Sequence, residues 1–246
     1  MCRHLGYLGP PVPLERLIFD PPHSLATQAW APRDMRGGGT INADGFGVGW
    51  WPPGASAPVR HRSAMPIWTD ASLPSLAAAT SSGAILAAVR SATVGLPVVE
   101  TAAAPFTDGR WLFSHNGVVR GWPSAIAAQA RDLPVEDLLT LDAPTDSATL
   151  WALVRAKLCT GEPPAKAVAA VVTEVAVAAP GSRLNLLLSD GEQLIATTFG
   201  HALSVRPSRD STLISSEPLD PGPAWQPVPD GHLVVATAGQ VEITPL

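Results

Sequence analysis

The sequence is poor in cysteine, in charge and in long apolar runs, and each shortage excludes a class of protein. Its two cysteines, Cys2 and Cys159, are too few for a disulfide framework. Only 15% of the 246 residues are charged, the net charge is −5, and no run of Lys or Arg marks a nucleic-acid surface. No apolar stretch is long enough to span a membrane, and the first residues lack the apolar segment of a secretory signal. We therefore expect a cytoplasmic protein that binds neither nucleic acid nor a membrane.

Motifs for metals and phosphates are missing as well. The six histidines are scattered, and none shows the H-x-x-x-H spacing of metal ligands (4, 23, 61, 115, 201 and 232). The glycine-rich stretches 36–39 and 44–47 match neither a dinucleotide-binding motif nor a Walker A loop. We expect no metal and no cofactor, and we expect Cys159, on an Ala/Leu-rich helix, to be a buried small hydrophobe.

The residues that are abundant predict a layered α+β fold. Hydrophobic residues make up 46% of the chain, enough for a large core, and 26 Pro with 21 Gly indicate many turns. Apolar patterns predict loops at 21–40 and 91–108, helices at 14–19, 71–81, 123–131, 147–158 and 164–178, and strands at 2–9, 46–51, 59–63, 83–90, 111–114, 184–189, 193–198, 211–216, 232–237 and 240–244. With no linker-like run between these elements, we expect one domain over 1–246.

Cys2 is the first candidate for chemistry. If Met1 is removed, Cys2 carries a thiol and a free α-amine on one Cα. The thiol is a nucleophile, and an α-amine with an ordinary pKa of roughly 7.7–8.0 can take its proton near neutral pH. The alternative is an incidental residue near a frayed chain end.

Three further segments each allow a plain and a catalytic interpretation. Asn116-Gly117 is the commonest hairpin pair, yet an Asn amide followed by a Gly N–H can also form an oxyanion hole, with His115 beside it. Arg90 ends a strand, where a surface charge is usual, but its guanidinium and the Thr93 hydroxyl could hold a carboxylate. Asp146 could simply cap a helix, or it could bind an ammonium group.

Together these segments resemble the class II glutamine amidotransferases. The order and rough spacing of the family occur in MCRHLGYLG (1–9), RGGGT (36–40), NADGFGVGW (42–50), VRSATVG (89–95), PFTDGRWLFSHNG (105–117), TDS (145–147) and SEP (216–218). The opening residues, the PPHSL and QAWAP segments (21–25 and 28–32) and NADGFGVGW are similar to the γ-glutamyl amidohydrolases of ergothioneine biosynthesis. The resemblance implies a four-layer αββα sandwich of the N-terminal nucleophile hydrolase type.

The resemblance also implies a role for each matching residue. Cys2 matches the nucleophile, and Asn116 with Gly117 matches the oxyanion hole. The family's substrate-binding positions fall on Arg90 and Thr93 for the glutamyl carboxylate, on Asp146 for its ammonium, and, as further candidates, on His115 and Arg36. Ala88, Val94 and Ala104 stand where many relatives carry His, so the side of the site that faces the leaving amine differs.

The expected activity is hydrolysis of a small-molecule γ-glutamyl amide, with γ-glutamyl-hercynylcysteine sulfoxide as the favoured substrate. The alternative enzyme is a glutaminase subunit that supplies ammonia to a synthase partner. A catalytically silent binding module on the same fold is a third hypothesis, and retention of Met1 would favour it because the α-amine would be blocked. The sequence does not indicate the oligomeric state, and a homodimer stays open.

Overall fold

The computed structural model describes residues 2–36 and 41–246. Its strands are β1 (Arg3–Pro13), β2 (Phe46–Trp50), β3 (Val59–Ser63), β4 (Ser81–Val89), β5 (Phe106–Asp108), β6 (Trp111–Val118), β7 (Arg183–Ser189), β8 (Leu194–Thr198), β9 (Ser204–Pro207), β10 (Thr212–Ser215), β11 (Gln226–Pro227), β12 (His232–Thr237) and β13 (Gln240–Pro245). Its α-helices are α1 (Glu15–Ile18), α2 (Leu25–Trp30), α3 (Leu73–Ala79), α4 (Ala127–Ala130), α5 (Val135–Leu139), α6 (Asp146–Cys159) and α7 (Pro164–Ala178).

The strands form two antiparallel sheets. The first has the order β11-β9-β10-β1-β4-β2-β3, and the second has the order β13-β12-β8-β7-β6-β5. Strand β1 therefore lies in the middle of its sheet, with Leu5 opposite Ser215 on one side and opposite Ala87 on the other. The chain begins at the central strand, so the sheet holds its first residues in place.

Three apolar clusters separate four layers. Leu5, Leu25 and Phe46 belong to the cluster under α1–α3 on the outer face of the first sheet. A second cluster joins residues of both sheets, including Leu86 and Leu187. The third lies between the second sheet and helices α6 and α7, built from Phe106, Phe113, Trp151, Val171 and Leu186 among others. The order helix, sheet, sheet, helix confirms the predicted αββα sandwich.

Side chains alternate between these clusters along each buried strand. In β6, Leu112 faces the other sheet while Phe113 stacks on Trp151 of α6, with ring centroids 5.3 Å apart. In β4, Leu86 faces the second sheet while Ile85 faces the helices of the first. Both strands are buried on two faces, which explains the continuous apolar run at 84–89 in β4 and the apolar residues 111–113 that begin β6.

Two local expectations are wrong. The predicted loop 21–40 contains helix α2, whose first turn is capped because the Ser24 side chain accepts from the Thr27 N–H. This helix has only six residues, too few to show a period in the sequence. Of the two alternatives for Asn116-Gly117, the structure excludes the turn, since β6 continues to Val118 and pairs with β7. Cys159 is exposed, because it is the last residue of α6.

The three glycines that follow Arg36 in the glycine-rich motif lie outside the described residues. Within residues 2–36 and 41–246, no helix combines the length and the apolar character that a membrane span requires.

Candidate active site

Cys2 lies immediately before β1, at the edge of the sandwich. Its Sγ is 3.7 Å from the carbonyl oxygen of Ser91, which follows β4. Its own carbonyl oxygen accepts from Nη1 of Arg3 at 2.9 Å. The thiol is half-buried, and its backbone is held by a buried guanidinium, so the fold fixes the residue that the sequence singled out.

A small pocket beside Cys2 collects several of the predicted site residues. Its walls are Cys2, Ala88, Val89, Arg90, Ala102, Ala104, Phe106, Ser114, His115 and Ser147. The space it encloses is about 20 Å³, which is room for about one water molecule. A γ-glutamyl group therefore needs part of the wall to move. Ala88 and Ala104, two of the positions where relatives carry His, both belong to this wall.

Asn116 and Gly117 lie in β6, next to Ser114 and His115 of the pocket wall. The Asn116 side chain is fully buried, and its Nδ2 donates to Oγ of Ser216 at 3.2 Å. An amide nitrogen carries two N–H donors, so one can hold Ser216 while the other serves a developing oxyanion. At Gly117 an added Cβ would lie 1.9 Å from the carbonyl oxygen of Arg183, so only glycine fits there.

Arg90 is 9% exposed rather than a surface charge. Its Nη1 donates to the carbonyl oxygen of Pro97 at 2.9 Å, and its backbone exchanges hydrogen bonds with Asp44 and Gly45. Arg90 is also among the residues that line the pocket, so the position predicted to bind a carboxylate lies at this site. Thr93 is exposed in the turn that follows and does not line the pocket.

Asp146 opens helix α6 and is 5% exposed. Its Oδ2 accepts from the N–H of Val119 and its Oδ1 from that of Ser147, at 2.9 and 2.8 Å. The N-cap itself is Thr145, whose hydroxyl accepts from Ala148. Each carboxylate oxygen can accept a second hydrogen bond, so Asp146 retains acceptor capacity for an ammonium group.

His115 links β6 to the start of α6. Its Nε2 donates to the carbonyl oxygen of Arg183 at 2.9 Å, which leaves Nδ1 to accept from the Ser147 hydroxyl at 3.0 Å. Burial lowers the pKa of His115, and the nearby carboxylate of Asp146 only partly opposes this. The neutral imidazole thus links β6, which carries Asn116, to the start of α6, which carries Asp146.

Arg36 is the predicted site residue that stands furthest apart. It is exposed, and its Nε lies 3.0 Å from Oδ2 of Asp34. It does not line the pocket around Cys2. Its neighbours in the chain nevertheless reach the site, because the Asp34 carbonyl oxygen accepts from Nη2 of Arg3.

Comparison with known proteins shows the family to which the chain is related. The sequence model of the family described as "Glutamine amidotransferases class-II" matches residues 17–206. The chain belongs to the class II glutamine amidotransferases.

Two curated members of the class II glutamine amidotransferases align with the whole chain. Each is named gamma-glutamyl-hercynylcysteine sulfoxide hydrolase. The protein of Mycolicibacterium smegmatis is 42% identical over 248 residues, covering all of both chains. That of Mycobacterium tuberculosis is 43% identical, covering all of this chain and 97% of its own.

A solved structure has the same architecture. The glutamine aminotransferase class-II domain protein from Silicibacter pomeroyi is 26% identical, with a TM-score of 0.70 over 99% of both chains.

Sequence reasoning missed several residues that hold this amidotransferase site together. Ser147 bonds His115, and Ser216 bonds Asn116. His4 points between the sheets, with its Nδ1 3.3 Å from Oγ of Ser114. Polar residues at alternate positions of an apolar strand, as at 114 and 116, were a usable signal, because a buried polar side chain needs a partner.

A roomier cleft lies away from this site. It encloses about 590 Å³ and is lined by residues from α4, α6, α7 and the connection between α6 and α7, such as Gln129, Lys157 and Glu174. It contains no predicted site residue, and Lys157 and Glu174 pair with each other across it at 2.8 Å. The smaller pocket is our candidate site because Cys2, the predicted nucleophile, is part of its wall.

Proposed function

We propose that this chain hydrolyses the γ-glutamyl amide bond of γ-glutamyl-hercynylcysteine sulfoxide and releases glutamate. The observation that carries the proposal is the 42–43% identity, over the whole chain, with two mycobacterial hydrolases named for that substrate. The pocket at Cys2 supports it, since a nucleophile, a guanidinium and an imidazole share its walls.

Recognition of the glutamyl group divides among three parts of the site. Arg90, with Thr93 from the turn after β4, binds the α-carboxylate, for which a guanidinium fork is well suited. Asp146 binds the α-ammonium, and His115 holds β6 and α6 at the distance that the glutamyl chain requires. Arg36 is a further candidate for substrate contact, because Asp34, two residues before it, accepts from Arg3 beside Cys2.

The chemistry uses Cys2 after removal of Met1. The Cys2 sulfur attacks the carbonyl carbon of the γ-glutamyl amide while the thiol proton passes to the α-amine. The resulting oxyanion accepts from Asn116 Nδ2 and Gly117 N–H. The α-amine then gives the proton to the leaving nitrogen, the C–N bond breaks, and a γ-glutamyl thioester remains. Water adds to this thioester, its proton passes to the amine, the C–S bond breaks, and glutamate leaves as the thiol is restored.

The deciding experiment measures glutamate release from γ-glutamyl-hercynylcysteine sulfoxide and from glutamine in parallel. We expect rapid release from the first substrate and little from the second. The reverse result would contradict the proposal and would identify a glutaminase subunit that needs a synthase partner.

Two cysteine variants serve as the matched pair for this assay. Cys2→Ala should abolish release, because no other group can form the thioester. Cys159→Ser removes the exposed thiol at the end of α6 and should leave the rate unchanged. Activity that survives in Cys2→Ala would exclude the mechanism.

Asn116→Ala tests the oxyanion hole. Loss of one such donor typically costs about 10²–10³ in kcat, and we expect a decrease of that size with a smaller change in KM. Steady-state kinetics on the γ-glutamyl substrate measures both constants. A kcat close to that of the wild type would remove Asn116 from the oxyanion hole.

We place this reaction in the cytoplasm, on a small molecule and without nucleic acid. A working thiol needs reducing surroundings, and both cysteines are free. The net charge of −5 would repel a polyanion.

A further inference from the structure

Ser216 and Glu217 leave β10 beside the first residues of β1. The two strands run antiparallel, with Leu5 opposite Ser215, so the end of β10 lies against the start of β1. The N–H of Ser216 donates to the carbonyl oxygen of His4 at 2.9 Å and extends the ladder by one step. Ser216 and Glu217 therefore lie beside the first residues of β1, which follow the proposed nucleophile Cys2.

Ser216 contacts the amide of Asn116. Its Oγ accepts from Asn116 Nδ2 at 3.2 Å and from the N–H of His4 at 2.9 Å. Its own proton goes to the carbonyl oxygen of His4 at 3.2 Å. One buried hydroxyl thus joins the second sheet, which carries Asn116, to the first sheet, which carries Cys2.

Glu217 contacts the residue that holds Cys2. It is 4% exposed, and its Oε1 accepts from Nε of Arg3 at 2.7 Å. Arg3 in turn donates from Nη1 to the carbonyl oxygen of Cys2. The carboxylate, the guanidinium and the Cys2 carbonyl therefore form one chain of hydrogen bonds.

The same carboxylate also holds the segment before the glycine-rich stretch. Its Oε2 accepts from the N–H of Arg33 at 2.9 Å, and its Oε1 accepts from that of Asp34 at 3.1 Å. His23 adds a contact from Nε2 to Oε2 at 2.6 Å. Burial alone would raise the pKa of Glu217, but the bond from His23, the backbone N–H groups and the charge of Arg3 lower it to about 2. The carboxylate is thus an anion that can only accept.

We propose that Ser216 and Glu217 are positioning residues for the hydrolysis, Ser216 by orienting the Asn116 amide and Glu217 by fixing Cys2 through Arg3. This inference rests on the proposed roles of Cys2 and Asn116. Neither residue lines the pocket around Cys2, and each contacts the site through another residue, Ser216 through Asn116 and Glu217 through Arg3. Cys2 precedes a strand of the first sheet, whereas Asn116 lies in the second sheet, so their relative position depends on contacts between the sheets. Ser216 and Glu217, adjacent residues at the end of β10, make contacts to both sides.

The first test is Ser216→Ala, with Ser215→Ala as its matched control. Misplacement of a catalytic group by about 1 Å can cost roughly 10²-fold, so we expect kcat to fall by up to that factor while KM changes little. Ser215 is equally buried, but its hydroxyl has no hydrogen-bond partner among the described residues. Ser215→Ala should therefore keep the wild-type kcat, whereas a loss equal to that of Ser216→Ala would overturn the proposal.

A double-mutant cycle separates positioning from general support of the fold. If Ser216 acts through Asn116, adding Ser216→Ala to Asn116→Ala should lower kcat no further. A purely structural role would lower kcat by the same factor in both backgrounds, and that result would overturn the proposal for Ser216.

Glu217 is tested by Glu217→Gln and Glu217→Asp. Gln keeps the shape of Glu, but its NH₂ group would face N–H groups that now donate to the carboxylate. We therefore expect kcat to fall by roughly 10²-fold with little change in KM. Asp keeps the charge and should recover part of the loss. An unchanged kcat in Glu217→Gln overturns the role of Glu217, and if that variant does not fold, the Ser216 cycle decides the proposal.

The outcomes also distinguish this inference from the proposed function. Activity in Cys2→Ala would remove the mechanism itself. Loss of activity in Cys2→Ala and Asn116→Ala, together with wild-type kcat in Ser216→Ala and Glu217→Gln, would remove only the positioning roles.

Discussion

The close approach of β6 and β7 beside the site depends on the missing side chain at Gly117. An added Cβ would lie 1.9 Å from the Arg183 carbonyl oxygen and 2.6 Å from Nε2 of His115. Both atoms belong to groups that are already bonded to each other, so neither can move without loss. This single position therefore couples strand pairing to the geometry of the proposed oxyanion hole.

Gly117→Ala should both destabilise the protein and inactivate it. Overpacking of this kind typically costs about 1–3 kcal/mol, and the displaced β6 should lower kcat at least as much as Asn116→Ala does. Urea unfolding and glutamate release measure the two effects.

Gly161→Ala is the contrast to Gly117→Ala. Gly161 follows α6 with φ +84° and open space around it. Its replacement should cost about 1–2 kcal/mol through backbone strain and leave kcat unchanged. Full activity in Gly117→Ala would contradict the close approach.

At the level of elements, the first turn of α6 connects secondary structure to substrate recognition. The sequence predicted a helix cap at Thr145-Asp146-Ser147. In the structure, Thr145 and Asp146 make different contacts. Thr145 caps the helix by accepting from the Ala148 N–H at 3.2 Å. Asp146 is thereby left to bond Val119 and, in our proposal, the substrate ammonium.

Thr145→Ala should therefore affect stability and substrate binding together. Loss of an N-cap side chain costs about 1 kcal/mol, and a frayed first turn should raise KM for the γ-glutamyl substrate because Asp146 lies in it. Thr145→Ser retains the hydroxyl and should restore KM. A KM as high in Thr145→Ser as in Thr145→Ala would show that the methyl group, not the cap, is responsible. Urea unfolding and steady-state kinetics provide both numbers.

For the whole molecule, buried histidines make stability depend on pH. Burial, and then the charges of His115, His201 and Arg3, lowers the pKa of His4 from 6.5 to about 3. Burial, and then the charge of Arg3, lowers that of His201 to about 4, although Asp34 opposes the shift. Between these values and 6.5 the unfolded chain binds protons that the folded protein does not, so stability is lost as the pH falls below 6.5.

We expect the free energy of unfolding to decrease by up to about 1.4 kcal/mol per pH unit for each such histidine. The contribution of Glu217 is present above pH 4.5 and is lost only as the pH falls from there towards 2. His201→Gln removes one titrating group that lies among Arg3, Asp34, Arg36 and Arg183. The free energy of unfolding of this variant, measured in urea from pH 5 to pH 7.5, should depend less steeply on pH than that of the wild type. The difference in slope should correspond to about one proton fewer taken up on unfolding. An unchanged slope would show that His201 is not a source of the effect.

Much of the fold could be predicted because local periodicity reports which face of an element is buried. Of the thirteen strands within residues 2–36 and 41–246, ten were expected close to their observed positions, since alternate residues of a strand face opposite layers. The same signal failed for the six-residue α2. It also left Asn116-Gly117 open between turn and strand, because pairing of β6 with β7 overrides the local preference for a turn.

The sequence by itself determined the nucleophile candidate, a layered α+β fold, and the kinds of side chain available for a γ-glutamyl group, while its resemblance to the class II glutamine amidotransferases implied the αββα order of the layers. Only the tertiary structure decided which of these groups meet. Asn116 and Ser216 are 100 positions apart, and Arg3 and Glu217 are 214 apart. A local sequence pattern indicates which face of a strand is buried, but not which strand lies beside it in the sheet. These contacts depend on the sheet order, in which β1 lies between β4 and β10.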